Sequence, residues 1–348
     1  MQAEKYNSNQ CRVMKNRLIL VLAISLVLIS NGLFSQEKEN TFKPWGKING
    51  TIFSNFHQQL FADNYESAFA VERAYLGYDH FLSENFTIYL KLDIGSPNQD
   101  SPYDILKRYA YFKNAAIGYK KDKLTLHFGL IDTYHFKNSE KFWGHRYIYK
   151  SFQDEHKFGN SADLGASVKY DFNDFISADF TVMNGEGYNQ LQTDNTYKSA
   201  LGITLNPVKN LTARFYVDYI EQKEMQTTWS SFIGYDFNKK VVIGAEYNIQ
   251  LNNKFSKDHN LNGFSGFASY NITEKWQIFG RYDKLWSNTI EGEPYQWNIN
   301  KDGSAIIGGV QFIPYKNIRI AANYQDWYPY AKNIENESFF YLNLEYKF

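Results

Sequence analysis

Acidic and basic side chains recur in this chain at intervals of two inside otherwise apolar runs. Lys91 and Asp93 stand between Leu90, Leu92 and Ile94, and Arg214 and Asp218 alternate with Ala213, Phe215, Val217 and Tyr219. Arg281, Asp283, Glu246 and Arg319 sit in runs of the same kind. Residues two apart share one face of a strand, so each run has an apolar face and a charged one. Fixed charges along such a face can set up a field in water beside it. Hydrolytic or transfer chemistry would need a nucleophile, a base and an orienting group at one level, and no such trio is legible.

The other chemical readings are weak. Seven His and one Cys form no run with zinc-ligand spacing, and no phosphate-binding loop or nucleophile elbow is present. Asn184-Gly185-Glu186-Gly187 follows a strand-like segment with no helical run after it, and reads as a turn. No cofactor or metal is implied. Lys and Arg total 37 against 37 Asp and Glu, so no strongly basic surface exists for nucleic acid. The odd feature is aromatic content: 28 Tyr, 28 Phe and 7 Trp make 18% of a chain whose mean hydropathy is −0.52. A membrane barrel needs rings at two interfaces, whereas a soluble fold rarely needs so many.

The elements that position these residues are strands. Period-two alternation recurs in sixteen segments, centred from Thr51 to Leu344, and no helical period is sustained. Short turns follow the even segments, for example 82–85, Asn173-Asp174 and Asn238-Lys239, while longer polar loops follow most odd ones. An even strand count with turns on one side and loops on the other predicts an all-β fold: a transmembrane, antiparallel, up-and-down β-barrel with periplasmic termini. Tyr78, Tyr119, Tyr170, Tyr235, Tyr270, Phe312 and Phe348 stand outward before the turns, as an aromatic girdle.

Strands can span hydrocarbon only as a closed sheet, and sixteen of them enclose a lumen too wide for side chains to fill. The charged faces then line water. On this reading the pore wall carries Arg73, Lys91, Lys169, Arg214, Arg281 and Arg319, opposed by Asp93, Asp163, Asp179, Asp218, Glu246 and Asp283. His127 also faces inward, as an isolated wall histidine. The longest connection, 132–160, has the basic residues Lys137, Lys141, Arg146 and Lys150 in excess, with Ser139 as a cap for a short helix. Folded into the lumen as the third extracellular loop, it would form the constriction; otherwise it is an external flap.

Lys15 and Arg17, the apolar run from Leu18 and the small Ser35 read as a cleaved secretory signal over 1–35, with Met14 as an alternative start. Residues 36–44 would be a short periplasmic segment and 45–348 the barrel. Removing the signal takes Lys5, Arg12, Lys15, Arg17 and Glu4, along with Cys11, and leaves an acid excess of three.

Three segments carry a resemblance: 71–95 (VERAYLGYDHFLSENFTIYLKLDIG), 140–170 (EKFWGHRYIYKSFQDEHKFGNSADLGASVKY) and the terminal LEYKF. With them the chain resembles the outer-membrane porins of the phosphate-selective O/P type, broadly defined. The resemblance implies residence in the outer membrane of a Gram-negative bacterium and contact with its lipid. It further implies a homotrimer, and recognition of Tyr346 and Phe348 by the barrel-assembly machinery. The family's arginine ladder is absent, and the mixed wall fits passive diffusion of small hydrophilic solutes and ions better than an anion-selective or phosphate filter. The rival readings are an outer-membrane barrel enzyme and a non-conducting adhesin.

Overall fold

The computed structural model describes residues 42–61, 66–95 and 109–348. The expected signal over 1–35 and most of the 36–44 segment lie outside the described residues. From Pro44 onward the chain is one compact unit. Its first eight strands are β1 Trp45–Leu60, β2 Ser67–Phe81, β3 Phe86–Gly95, β4 Tyr109–Lys121, β5 Leu124–Asp132, β6 Ala162–Asp171, β7 Ile176–Met183 and β8 Lys198–Leu205. The second eight are β9 Leu211–Glu221, β10 Met225–Phe237, β11 Val241–Leu251, β12 Leu261–Asn271, β13 Trp276–Ser287, β14 Gly303–Tyr315, β15 Ile318–Pro329 and β16 Glu337–Lys347.

Every strand pairs with its sequence neighbours, and β1 pairs with β16, so the sheet closes into a sixteen-strand antiparallel barrel without an edge. Closure satisfies the backbone groups that a spanning strand would otherwise expose to lipid. Leu90, Phe128, Phe215, Ile233 and Phe340 are exposed on the outer face, and their strand neighbours point in. Rings pair on the outer face next to the short turns: Phe86 lies 4.8 Å from Tyr119, and Trp276 lies 4.5 Å from Phe312.

Strict alternation breaks at three register shifts among the described residues, one of them beside the β14–β15 turn, where Phe312 pairs with Ile320 but Tyr315 with Ile318. Phe53 pairs with Arg73 but Ser54 with Val71, so Glu72 is the extra residue. Lys91 pairs with Asn114 but Leu92 with Phe112, which leaves Lys113 extra. Counting back from outward Ile117 in twos would send Lys113 to the lipid face. The bulge turns it inward, where Nζ donates to Ser161 Oγ at 2.7 Å.

The loop between β5 and β6 contains α1, Lys137–Trp143, and the single helical turn α2, Phe152–Glu155. The cap of α1 is Phe136 rather than Ser139. Ser139 lies within the helix, and its hydroxyl donates to the Phe136 carbonyl at 3.0 Å. The helix ends at Gly144 in the left-handed region, φ 68°.

Candidate functional site: the loop seat and the cavities beside it

The loop meets side chains that point inward from the wall. Trp143, Tyr147 and Ile148 pack with Phe53, Phe232, Phe267, Phe279 and Ile307 in one buried apolar cluster. Phe152 and Phe158 pack with Leu261 and Leu285 in a second. The inner face is therefore not uniformly polar: from β10 to β14 it carries an apolar seat. Two wall glycines make room for loop rings. A Cβ on Gly263 would fall 2.2 Å from the Phe152 ring, and one on Gly234 would fall 2.6 Å from Phe142.

An irregular backbone buried against a wall needs partners for its carbonyls. Six wall side chains supply them. Arg281 Nη1 donates to Lys150 O at 2.7 Å, Arg319 Nη1 to Gly144 O at 3.0 Å, and Arg214 Nε to His135 O at 3.3 Å. Gln325 donates to Ile148 O, Asn343 to Tyr147 O and Gln250 to Phe158 O. In the other direction, Gln153 of the loop donates to Glu246 at 2.6 Å.

Much of the charge expected along a water-filled wall is thus buried. Arg281 is 4% exposed and forks onto Asp283, which is fully buried, at 2.8 and 2.6 Å. Its guanidinium also lies 5.1 Å from the Trp143 ring and 5.3 Å from that of Tyr149. Arg214 forks onto Asp179 at 2.7 and 3.0 Å. Asp163 accepts the N–H groups of Leu164, Gly185 and Gly187, and so fixes the turn after β7. Asp93 takes Arg73 at 3.1 Å and the Tyr188 hydroxyl at 2.8 Å. Asp218 accepts the Tyr216 hydroxyl. Reading Arg281, Asp93, Asp163, Asp218, Glu246 and Asp283 as pore-lining is corrected by this burial: they brace the loop and wall, whereas the Arg214–Asp179 pair does both, bracing the loop and bordering a cavity. Alternation selects the inward face but does not distinguish water from a packed loop on that face.

A smaller set borders open space. A cavity of about 520 Å³ runs between the loop and β1–β4, β15 and β16, lined among others by Lys91, Lys113, Lys137, Lys141, Arg146 and Arg319. A second, of about 460 Å³, lies between α1 and the inward faces of β6–β9; Lys137 and Lys141 border both. Ion pairs tie Lys137 to Asp132 at 2.8 Å, Arg146 to Asp154 at 3.0 Å and to Glu140 at 3.4 Å, and Arg319 to Glu345 at 3.4 Å. Lys169 pairs with Asp171 at 2.7 Å, and Lys150 faces Glu155 at 3.6 Å. His127 is not isolated: its Nδ1 lies 3.3 Å from the Tyr134 hydroxyl. Tyr346 and Phe348 are on the outer face, and Phe348 exchanges backbone hydrogen bonds with Gly50.

Burial also moves protonation in the loop. Desolvation pushes the Glu140 carboxyl up, against the pull of Arg146. Burial pushes His145 down to about 4, partly offset by hydrogen bonds to Trp143 O and Gln277. His135 and His156 are shifted the same way by burial. Among the described residues, no group of three or more His, Cys, Asp or Glu is arranged to hold a metal ion.

No protein-family model matches the chain, and no curated protein matches it in sequence. Solved structures do resemble it. Salmonella typhi OmpF, in complex with daunomycin, superposes with a TM-score of 0.64 at 10% identity, over 87% of this chain and 97% of that one. The outer-membrane channel DcaP of Acinetobacter baumannii gives 0.63 at 11% identity, over 90% and 99%. An anion-selective porin from Comamonas acidovorans gives 0.60 at 10% identity, over 88% and 100%. What this chain shares with them is the fold, the closed barrel of the outer-membrane porins.

Proposed function

We propose that the protein is an outer-membrane porin, a water-filled channel through which small hydrophilic solutes and ions diffuse passively. The observation that carries this reading is the cavity of about 520 Å³ left between the seated loop and β1–β4 inside a closed barrel. The loop fills the side toward β10–β14, and the crescent opposite is the water path, with the loop as its constriction. The role is transport without catalysis. The chain is exported by cleavage after residue 35, inserted by the assembly machinery through Tyr346 and Phe348, and embedded in outer-membrane lipid as a homotrimer.

One observation favours a preference for anions. Each acid along the crescent, namely Asp132, Glu140, Asp154 and Glu345, has a basic partner within 4 Å. Among the described residues, Lys91, Lys113 and Lys141 have no carboxylate at ion-pair distance, and all three line the crescent. A low-dielectric wall with uncompensated ammonium groups draws anions. Swelling of liposomes containing the purified protein in graded sugars and amino acids tests the function. Uptake falling steeply with solute size supports a narrow passive pore, and no swelling in any solute sinks it.

A further inference from the structure

The second cavity, between α1 and β6–β9, differs from the crescent in what it offers a ligand. Its wall charges largely cancel, since Arg214 is forked onto Asp179, Lys169 is held by Asp171, and at the turn end Lys123, which donates to Phe172 O, is balanced in sign by Asp174. The polar groups that remain alternate between donor and acceptor. Thr204 Oγ1 accepts from Arg214 at 3.0 Å and from Asn138 at 3.4 Å, so its own proton is left to give. Thr212 donates to Asn206 Oδ1 at 2.9 Å, which leaves the Asn206 amide N–H groups facing the space. Asn138 Oδ1 is left as an acceptor, and Phe142 adds a ring to the lining. Sugar hydroxyls each donate and accept, and the C–H face of a sugar packs on a ring, so this wall matches a polyol.

A charge then stands at the edge. Lys141 is exposed where the two cavities meet and has no carboxylate partner among the described residues, whereas Lys137, one helical turn earlier, is tied to Asp132. A bare small anion would engage Lys141 and leave the amide and hydroxyl wall to water. A neutral sugar would do the reverse. Satisfying both takes one molecule with hydroxyls and a carboxylate. A volume of about 460 Å³ holds a monosaccharide with its water.

We propose that this cavity is a binding site for acidic monosaccharides of the hexuronate class, with the ring on Thr204, Asn206, Asn138 and Phe142 and the carboxylate on Lys141. The proposal rests on the channel reading and names a solute class for it.

The test is ion-current block of the purified full-length protein in planar bilayers, at about 0.1 M salt so that a Debye length of about 10 Å leaves Lys141 unscreened. Glucuronate, glucose and acetate are titrated separately. Glucuronate should block saturably, glucose about tenfold more weakly, and acetate not at all, as expected if one charge-assisted hydrogen bond separates the two sugars. Lys141→Gln should bring glucuronate to the level of glucose. Thr212→Val and Asn206→Leu should weaken block by both sugars, each read against the variant's own open current. Acetate blocking as well as glucuronate, glucose matching glucuronate, or ion steps without saturable block would each overturn the site. An absence of ion steps altogether would instead refute the channel reading beneath it.

Discussion

Replacing Arg281 by Met separates an anchor from a pore-lining charge. The change keeps side-chain length and removes the fork on Asp283, the bond to Lys150 O and the two ring contacts. Two effects of different origin follow. Asp283 is left buried and unpaired, which costs the barrel about 3 to 5 kcal/mol. The loop itself loses one charge-assisted hydrogen bond, about 1.5 to 3 kcal/mol, and cation–π contacts of about 0.5 to 2 kcal/mol. Arg281→Met combined with Asp283→Asn removes the stranded charge and leaves only the loop deficit. The double variant should therefore regain the barrel's resistance to heat in detergent, followed by gel mobility. It should still show raised open-channel noise and a larger mean conductance, because the loop leaves its seat more often. If either variant kept wild-type noise and conductance but shifted the reversal potential, Arg281 would face the water path and the anchoring account would be wrong.

Three further outcomes follow from the same geometry. Leu90→Arg puts a charge on the outer face and should cost about 2 to 4 kcal/mol near mid-bilayer, whereas Lys91→Gln should fold normally and alter ion selectivity; equal folding defects would overturn the inside and outside assignment. Gly263→Ala drives a methyl into the Phe152 ring and should cost about 1 to 3 kcal/mol of overpacking, seen as a noisier channel in an intact barrel; an unchanged current trace would mean that Phe152 is not seated there. For His145, the seated loop holds the ring neutral down to about pH 4, while a released loop protonates it near 6.5. The seat therefore weakens as pH falls through that window, by at most about 3 kcal/mol. Channel noise should rise between pH 6.5 and 4 and rise less in His145→Gln, whereas superimposable profiles would remove His145 from the seat.

The strand count, the turns and the inward and outward faces were legible because closure in lipid forces period two along every spanning strand. Leu90 and Lys91 show it in adjacent positions. Which inward charges meet water was not legible. Lys91 and Arg281 occupy equivalent places in their strands, and only the loop's position separates an open lysine from a buried arginine. A signal for the seat was nevertheless present: Phe232, Phe267 and Phe279 break the polar face on strands where their neighbours keep it, and Gly234 and Gly263 leave inward gaps. Rings and gaps together mark a packed surface. Lys113 escaped notice for a different reason, since a one-residue bulge reverses parity and leaves no mark in the pattern of apolar residues. Ser139 looked like a cap by residue type, but Phe136 begins the helix because its ring is anchored in the protein interior.

Single-channel recording of the full-length protein beside a variant lacking residues 142–148 tests the central claim most directly. If water passes through the crescent beside a seated loop, the wild type gives discrete ion steps, and the variant, having lost Trp143 and Tyr147 from the seat, gives larger ones. Silent wild-type protein in a verified folded state, or steps of equal size in the two proteins, would contradict it.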